Sequence, residues 1–329
     1  MATYKDIRGT NVQSIAGDPS NPVKGQIWYN STAKALKGEI FAAAAWAAGG
    51  NLGSGRYSRA TFGTQTSAVL AGGSPPSTTN ATEKYDGSSW TSSGNLNTSR
   101  RGIAGCGIST AGLAFGGTTA PPSSTSAATE EFDGSSWTNQ TGMPQGVRQQ
   151  FGAGVQTAAF ASGGMLDPPA APINNTYEYN GSSWTAGGAM GHGRADGQAC
   201  GTLTAGLAVG GRDSNPPPSA TPAADTVEEY DGSSWTAGGA YPTAMNALGV
   251  AGSQTAAVAF GGNTGGSQSA ANLYDGTSFT STTALNTARG YVSGCGTQTA
   301  GLAAGGSPTG TATEEFSGAA NQTKTIDVD

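Results

Sequence analysis

Thr82-Glu83-Lys84-Tyr85-Asp86-Gly87-Ser88-Ser89-Trp90 is the stretch that decides the fold, because the chain repeats it. Its copies are Glu130-Glu131-Phe132-Asp133-Gly134-Ser135-Ser136-Trp137, Tyr179-Asn180-Gly181-Ser182-Ser183-Trp184 and Tyr230-Asp231-Gly232-Ser233-Ser234-Trp235. Tyr274-Asp275-Gly276-Thr277-Ser278-Phe279 is a fifth, and Glu314-Glu315-Phe316-Ser317-Gly318 a sixth that stops short of the Trp. Asp-Gly between two β-prone segments signals a hairpin, since Gly accepts the positive φ of a tight turn. Upstream of each copy an apolar stretch closes on a Gly-Gly pair: Gly72-Gly73, Gly116-Gly117, Gly163-Gly164, Gly210-Gly211, Gly261-Gly262 and Gly305-Gly306. The first glycines of these pairs lie 44, 47, 47, 51 and 44 residues apart. A regular period of that length marks a repeat architecture of supersecondary units. Each unit reads as four short strands, with the small-residue segment before Gly-Gly buried near an axis.

Composition agrees with this. Among 329 residues there are 54 glycines, and only 11% of the chain is charged. Glycine at that density excludes a long helical protein. Leu, Ile, Val and Phe total 40, a share that invites disorder, but a net charge of −6 is too small to hold a chain open. The longest apolar run, Ile40 to Ala48, falls far short of the ~20 residues of a membrane span, so no membrane insertion is expected. An acidic chain without clustered Lys and Arg does not suit nucleic acid. The N-terminus lacks the apolar core of a secretory signal.

The Gly-Gly pair, the Glu-x-Tyr-Asp-Gly segment and the Trp resemble the Kelch family of β-propellers, over about residues 39–318. The resemblance implies an all-β fold, a six-bladed Kelch-like β-propeller over residues 39–329, preceded by a short N-terminal anchoring segment, residues 1–38. Trp46-Ala47-Ala48-Gly49-Gly50 matches Trp235-Thr236-Ala237-Gly238-Gly239. The chain thus opens with a surplus outer strand, residues 40–47, and ends on a unit lacking one. The simplest arrangement seats Trp46 in the unit of Gly305-Gly306. The alternating stretch Thr323 to Val328 competes for that place.

Several positions bear on chemistry. The three cysteines, Cys106, Cys200 and Cys295, share one inner-strand site in alternate units, so buried reduced thiols are expected and no disulfide. They lack zinc-site spacing, and no metal or cofactor is expected. Arg56, Arg100, Arg148, Arg194 and Arg289, with Asn246 in the remaining unit, recur at one position. Glu83, Glu131, Glu178, Glu229 and Glu315 recur in the Tyr-Asp-Gly motif. Their repetition points to a charge-paired ring tying units together; an Arg cluster gripping an anionic sugar is the functional alternative. Asp-Gly-Ser-Ser-Trp resembles the sialidase Asp-box, but its Asp-to-Trp spacing is one residue short. Galactose oxidase is a Kelch-type enzyme whose copper site needs histidines; His192 is the one histidine here, on a connection between units. No catalytic constellation emerges, and a non-enzymatic protein is expected.

The segments between the second and third strands vary most in length and carry Asp167-Pro168-Pro169 and Asn215-Pro216-Pro217-Pro218. Strand alternation places them on one face with the inter-unit connections. Insertions of this kind cluster on binding faces. Asp167, Arg212, Asp213 and Tyr241 are the expected contacts there, because they set charge or an aromatic ring among Ala, Ser and Gly.

Residues 1–38 carry Lys5, Arg8, Lys24, Lys34 and Lys37 against Asp6 and Asp18, a net +3 on a body of −9. Gln26 to Asn30 and Lys34 to Lys37 read as a small hairpin. Gly25-Gln26-Ile27-Trp28-Tyr29-Asn30-Ser31-Thr32 resembles a segment that precedes Kelch-like repeats in tail and fibre proteins of tailed bacteriophages, particularly those of marine bacteria. That resemblance implies a virion structural protein, made in the bacterial cytoplasm and present in multiple copies on a tail or capsid fibre. It would dock on other virion proteins through residues 1–38, with Trp28 and Tyr29 as attachment residues, and display the propeller to a host-surface glycan. A carbohydrate-active propeller enzyme, a purely structural decoration protein and an intracellular Kelch scaffold are the alternatives.

Overall fold

The computed structural model describes residues 12–57, 59–74, 77–119, 124–167, 170–213 and 223–326. These hold strands and turns and no helix. The chain divides into two units: residues 46–317, and residues 1–45 together with 318–329.

The larger unit is built of six four-stranded antiparallel sheets. The first sheet runs Ala60–Thr64, Ser67–Ala71, Thr82–Tyr85 and Trp90–Ser93. The second runs Ala104–Ile108, Ala111–Phe115, Thr129–Phe132 and Trp137–Gln140. The third runs Phe151–Val155, Ala158–Ser162, Thr176–Tyr179 and Trp184–Gly187. The fourth runs Gln198–Thr202, Ala205–Val209, Val227–Tyr230 and Trp235–Ala237. The fifth runs Gly249–Ser253, Ala256–Phe260, Ala271–Tyr274 and Phe279–Thr282. The sixth runs Ser293–Gly296, Ala300–Ala304 and Thr313–Ser317, with Ala45–Ala48 in fourth place. First strands neighbour one another in this order, and the sixth neighbours the first. Crowding there explains the small residues: a Cβ on Gly105 would lie 2.6 Å from the Cβ of Ala60 in the sheet before.

Each repeat motif folds as its residues require. Tyr85 and Trp90 pair across the third and fourth strands. Asp86 Oδ1 accepts the backbone N–H of Ser88 and of Ser89, both at 2.8 Å, so the turn is an Asx turn built by the carboxylate, and Gly87 supplies a φ of 93°. Asn180 performs the same capping in the third sheet. The Gly-Gly pairs adopt positive φ throughout; at Gly116 a Cβ would lie 2.6 Å from the carbonyl oxygen of Val147, so no larger residue fits.

Adjacent sheets are joined by the Trp. Its indole N–H donates to the Thr that opens the third strand of the preceding sheet: Trp90 to Thr313, Trp137 to Thr82, Trp184 to Thr129 and Trp235 to Thr176, all within 3.0 Å. In the fifth sheet the residue is Phe279, and the facing position is Val227 instead of Thr. Trp46 takes the expected place in the sixth sheet, donating to Thr283 O at 2.9 Å and packing 4.9 Å from both Phe260 and Phe316.

The smaller unit is one four-stranded sheet, ordered Gln13–Ile15, Ile27–Asn30, Ala35–Ala42 and Ala320–Thr325. Its first pair is parallel and the others antiparallel. The expected hairpin is its middle pair. The division differs from the expected boundary at residue 38: Ala35–Ala42 stays with this sheet, and the C-terminal strand, expected to belong with the propeller, pairs here, Ile40 opposite Gln322. The outer strand of residues 40–47 is correspondingly reduced to Ala45–Ala48.

Candidate functional site

At one end of the larger unit the connections between sheets run beside the loops joining second and third strands. Isolated bridges tie them together: Tyr57 to Ser74, Arg148 to Met165, Asn246 to Asn263 and Gly290 to Ser307. These loops range from residues 305–312 to residues 210–226, whereas at the other end the third-to-fourth turns are uniform. Pro168, Pro169 and Pro216–Pro218 lie outside the described residues.

Four of the five repeated Arg side chains, all but Arg148, are buried here, and their role is structural. Each pairs with a Glu two residues before the motif aromatic: Arg56 with Glu83 at 2.9 Å, Arg100 with Glu130 at 2.7 Å, Arg194 with Glu228 at 2.6 Å, Arg289 with Glu314 at 2.9 Å. The other carboxylate oxygen accepts a backbone N–H three residues before the Arg, from Gly53, Asn97, Gly191 and Asn286. The pair therefore staples each connection to the sheet it enters. The expected ring used Glu131, Glu178, Glu229 and Glu315, and this is corrected. Those residues sit one position later and accept the Tyr hydroxyl of the following sheet: Tyr179 to Glu131 at 3.0 Å, Tyr230 to Glu178, Tyr274 to Glu229 at 2.7 Å, Tyr85 to Glu315 at 2.6 Å. Where the aromatic is Phe132, the facing residue is Lys84, its ammonium 5.9 Å from the ring centre; where it is Phe316, the equivalent residue is Leu273. Burial and the neighbouring Glu raise the Tyr85 and Tyr274 phenols to about 12.

Two sheets depart from the staple. In the third, the Glu position is Tyr177, and Arg148 turns instead to Asp167 and to Gln149 Oε1. In the fifth, Arg and Glu are replaced by Asn246 and Asn272, and Asn272 Nδ2 donates to the Tyr241 hydroxyl at 3.0 Å. Tyr241 is only 2% exposed and packs edge-on against Phe279, so it is a core plug and its expectation as a surface contact is corrected. It aligns with Leu52, Leu96, Met143, Met190 and Leu285, all buried, an alignment available in the sequence.

The other expected contacts are at this end. Asp167 is in its ion pair with Arg148. Arg212 and Asp213 form a short strand beside Arg194–Ala195. Arg212 Nε lies 3.2 Å from Asp196 Oδ2, and Arg212 Nη2 donates to the Tyr291 hydroxyl at 3.0 Å. Burial pushes the Asp196 carboxyl up, and Arg212 and Arg148 oppose this. His192 is exposed on its connection, as expected.

Asp196 and Tyr291 belong to a rim that sequence reading missed. Two residues before the first strand of the second to sixth sheets the backbone is left-handed: Gly102, Gln149, Asp196, Ala247 and Tyr291 have φ of 63°, 57°, 59°, 54° and 53°. For non-glycine residues this is costly and held only by surrounding structure. The holding bonds run from sheet to sheet: Gln149 N–H to Gly102 O at 2.7 Å, Asp196 N–H to Gln149 O at 3.0 Å, Ala247 N–H to Asp196 O at 2.6 Å. Inside the rim lies a cavity of about 90 Å³, with residues of all six sheets in its wall. A second cavity, of about 110 Å³, opens toward the uniform end and is lined by Cys106, Cys200 and Cys295. Gln198 lines both. It accepts the N–H of Val250 and of Gly294 and donates to Gly294 O at 2.9 Å, so it reaches from the fourth sheet to the sixth. The cysteines are free, and burial raises each thiol to about 12. Among the described residues no group of His, Cys, Asp or Glu is arranged to hold a metal ion.

In the smaller unit Trp28 is fully buried, its indole donating to Asp18 Oδ1 at 3.0 Å. Its expectation as an exposed attachment residue is corrected. That bond and the one from Asn30 hold the Asp18 carboxyl below its ordinary value. Tyr29 is 39% exposed and Phe41 50%, with Val23 and Ile40 also exposed.

No family model matches the chain, and no curated protein matches it. Among solved structures it is similar to YjhT, at 14% identity, with 83% of this chain and 99% of that chain covered and a TM-score of 0.66. At that identity the likeness bears on the all-β fold alone.

Proposed function

We propose that the larger unit is a six-bladed, Kelch-like β-propeller and that the chain is a non-enzymatic virion structural protein of a tailed bacteriophage, displaying that propeller on a tail or capsid fibre for host-surface glycan. The propeller reading is supported by six equivalent sheets whose first strands neighbour one another in a cycle. The virion reading rests on the resemblance of Gly25 to Thr32. The observation that carries display is the contrast between the two ends: one has uniform turns, the other gathers every long loop around a rim bearing Arg148, Asp167, Asp196, Arg212 and Tyr291. Attachment to other virion proteins falls to the smaller unit, where Tyr29, Ile40 and Phe41 expose apolar surface. Residues 1–11, with Lys5 and Arg8, lie outside the described residues.

Two changes separate display from attachment. Short Gly-Ser turns grafted in place of residues 165–175 and 212–225 are expected to leave particles assembled and abolish adsorption to host cells. Tyr29→Ser with Phe41→Ser is expected to leave a folded protein missing from purified particles. Unchanged adsorption after the graft, or turnover of a surface glycan by the purified protein, would overturn the binding reading in favour of a decoration protein or an enzyme.

A further inference from the structure

We propose that the mouth of the rim cavity binds an uncharged β-hexopyranose residue, with Tyr57 and Tyr291 as its stacking platform and Arg212 reading its hydroxyls. This names the sugar class for the display reading above and rests on that reading. Every other tyrosine of the larger unit is buried. Tyr57 and Tyr291 keep part of their surface exposed, and their rings lie 5.3 Å apart, tilted by 33°. Both rings break the repeat. Three residues before the first strand only the first sheet has an aromatic; the others have Arg101, Arg148, Ala195, Asn246 and Gly290. Two residues before it only the sixth sheet has one, and the second has Gly102. The first and sixth sheets are neighbours, so the two departures meet at one place in space. Departures from an otherwise consistent pattern are expected at functional positions.

Tyr291 is also a costly choice for the fold. Its φ of 53° is one that a bulky residue rarely takes, and Gly102 fills the equivalent position without that cost. The ring is steadied from across the mouth. Its hydroxyl accepts Arg212 Nη2 at 3.0 Å, and Arg212 Nε lies 3.2 Å from Asp196 Oδ2, so the contact runs from the sixth sheet to a loop of the fourth. The Arg212 side chain is still 33% exposed, and two of its three nitrogens are engaged. Tyr291 and Asp196 line the cavity of about 90 Å³, which has room for the hydroxymethyl arm of a sugar whose ring lies on the tyrosines. A pyranose with equatorial substituents presents C–H groups on its faces and hydroxyls around its edge. The C–H face meets the negative face of an aromatic ring, and the edge hydroxyls accept from the guanidinium fork. Asp196 already neutralises Arg212, so that group holds no surplus charge for a carboxylate, and a neutral sugar is selected over an acidic one.

The test is titration of the full chain with methyl β-D-glucopyranoside, followed by saturation-transfer NMR. D-Mannitol, which has hydroxyls but no ring face, and methyl β-D-glucuronide, which adds a carboxylate, are the controls. Saturable glucoside binding is expected, at least tenfold tighter than either control, with saturation strongest on the axial ring protons. Tyr291→Gly, after Gly102, is expected to melt no lower than the parent and to weaken glucoside binding at least tenfold. Tyr57→Ala, after Ala195, is expected to weaken it likewise and supplies the test should Tyr291→Gly not fold. No saturable glucoside binding, equal binding of either control, or unchanged affinity in either variant overturns the proposal. The display reading is scored apart from it, by particle adsorption. Loop-grafted particles that fail to adsorb, when the parent chain ignores the glucoside, overturn this proposal alone. Glucoside binding by the parent chain, when loop-grafted particles adsorb normally, supports the site and overturns display.

Discussion

Glu130 shows how much one side chain carries in this fold. It is fully buried and neutralises Arg100 while capping the N–H of Asn97. Removing one partner of a buried pair leaves an uncompensated charge, costing about 3–5 kcal/mol. Glu130→Ala is therefore expected to lower the free energy of urea unfolding by about that much. The double change Arg100→Asn with Glu130→Asn, the combination used by the fifth sheet, is expected to recover most of the loss. The turn aspartates behave differently, because they are exposed. Backbone N–H groups of Ser88 and Ser89, with the Ser88 hydroxyl, lower Asp86 to about 2 from 3.8, and Asp231 is lowered likewise. A carboxyl depressed on folding contributes stability above its unfolded pKa and loses it as pH falls through the folded one. These turns thus weaken between about pH 4 and pH 2. Asp86→Asn with Asp231→Asn, imitating Asn180, is expected to leave the melting temperature at pH 7 nearly unchanged and to flatten its fall in that acid window. A variant melting as steeply as the parent below pH 4 would count against the turns as the source.

At the scale of the strand, legibility depended on whether the deciding chemistry is local. Asp-Gly-Ser-Ser-Trp fixes its own turn through atoms within three residues, so the hairpins and the place of Trp46 were readable. The Glu register was not. Successive residues of a strand face opposite sides, so in Glu130-Glu131, Glu228-Glu229 and Glu314-Glu315 one carboxylate meets the Arg and the other the next sheet's Tyr. Glu83 and Glu178, single in their strands, belong to opposite sides, and aligning them merged two roles. Tyr241 and Trp28 were misplaced for a related reason: a large ring among small residues reads as protruding when it is filling the space they leave. The rim was invisible because left-handed Gln149, Asp196, Ala247 and Tyr291 share no residue type. The pairing of Ala35–Ala42 with Ala320–Thr325 was hidden by sequence distance. The inter-sheet register can now be checked. Tyr230→Phe leaves Glu178 without its donor and is expected to cost about 1–3 kcal/mol; adding Glu178→Leu, after Phe316 and Leu273, is expected to restore most of it. Additive losses in the double variant would refute that coupling.

Across the whole larger unit, the axial thiols are poor nucleophiles. The three thiols are buried and held protonated near neutral pH. Iodoacetamide is expected to label none in the native protein at pH 7.5 and all three in denaturant; native labelling on the same timescale would show that burial does not hold the thiols protonated. One further feature acts in time. Ala45–Ala48 belongs beside Thr313–Ser317, a strand made long after it. At translation rates of about 5–20 residues per second its partner arrives roughly 15–55 s later. Throughout that interval the nascent chain carries Trp46 without the ring of Phe316 that will cover it, and the sixth sheet is the last to be completed. A circular permutant that synthesises the Trp46 strand after Ser317 would remove the wait.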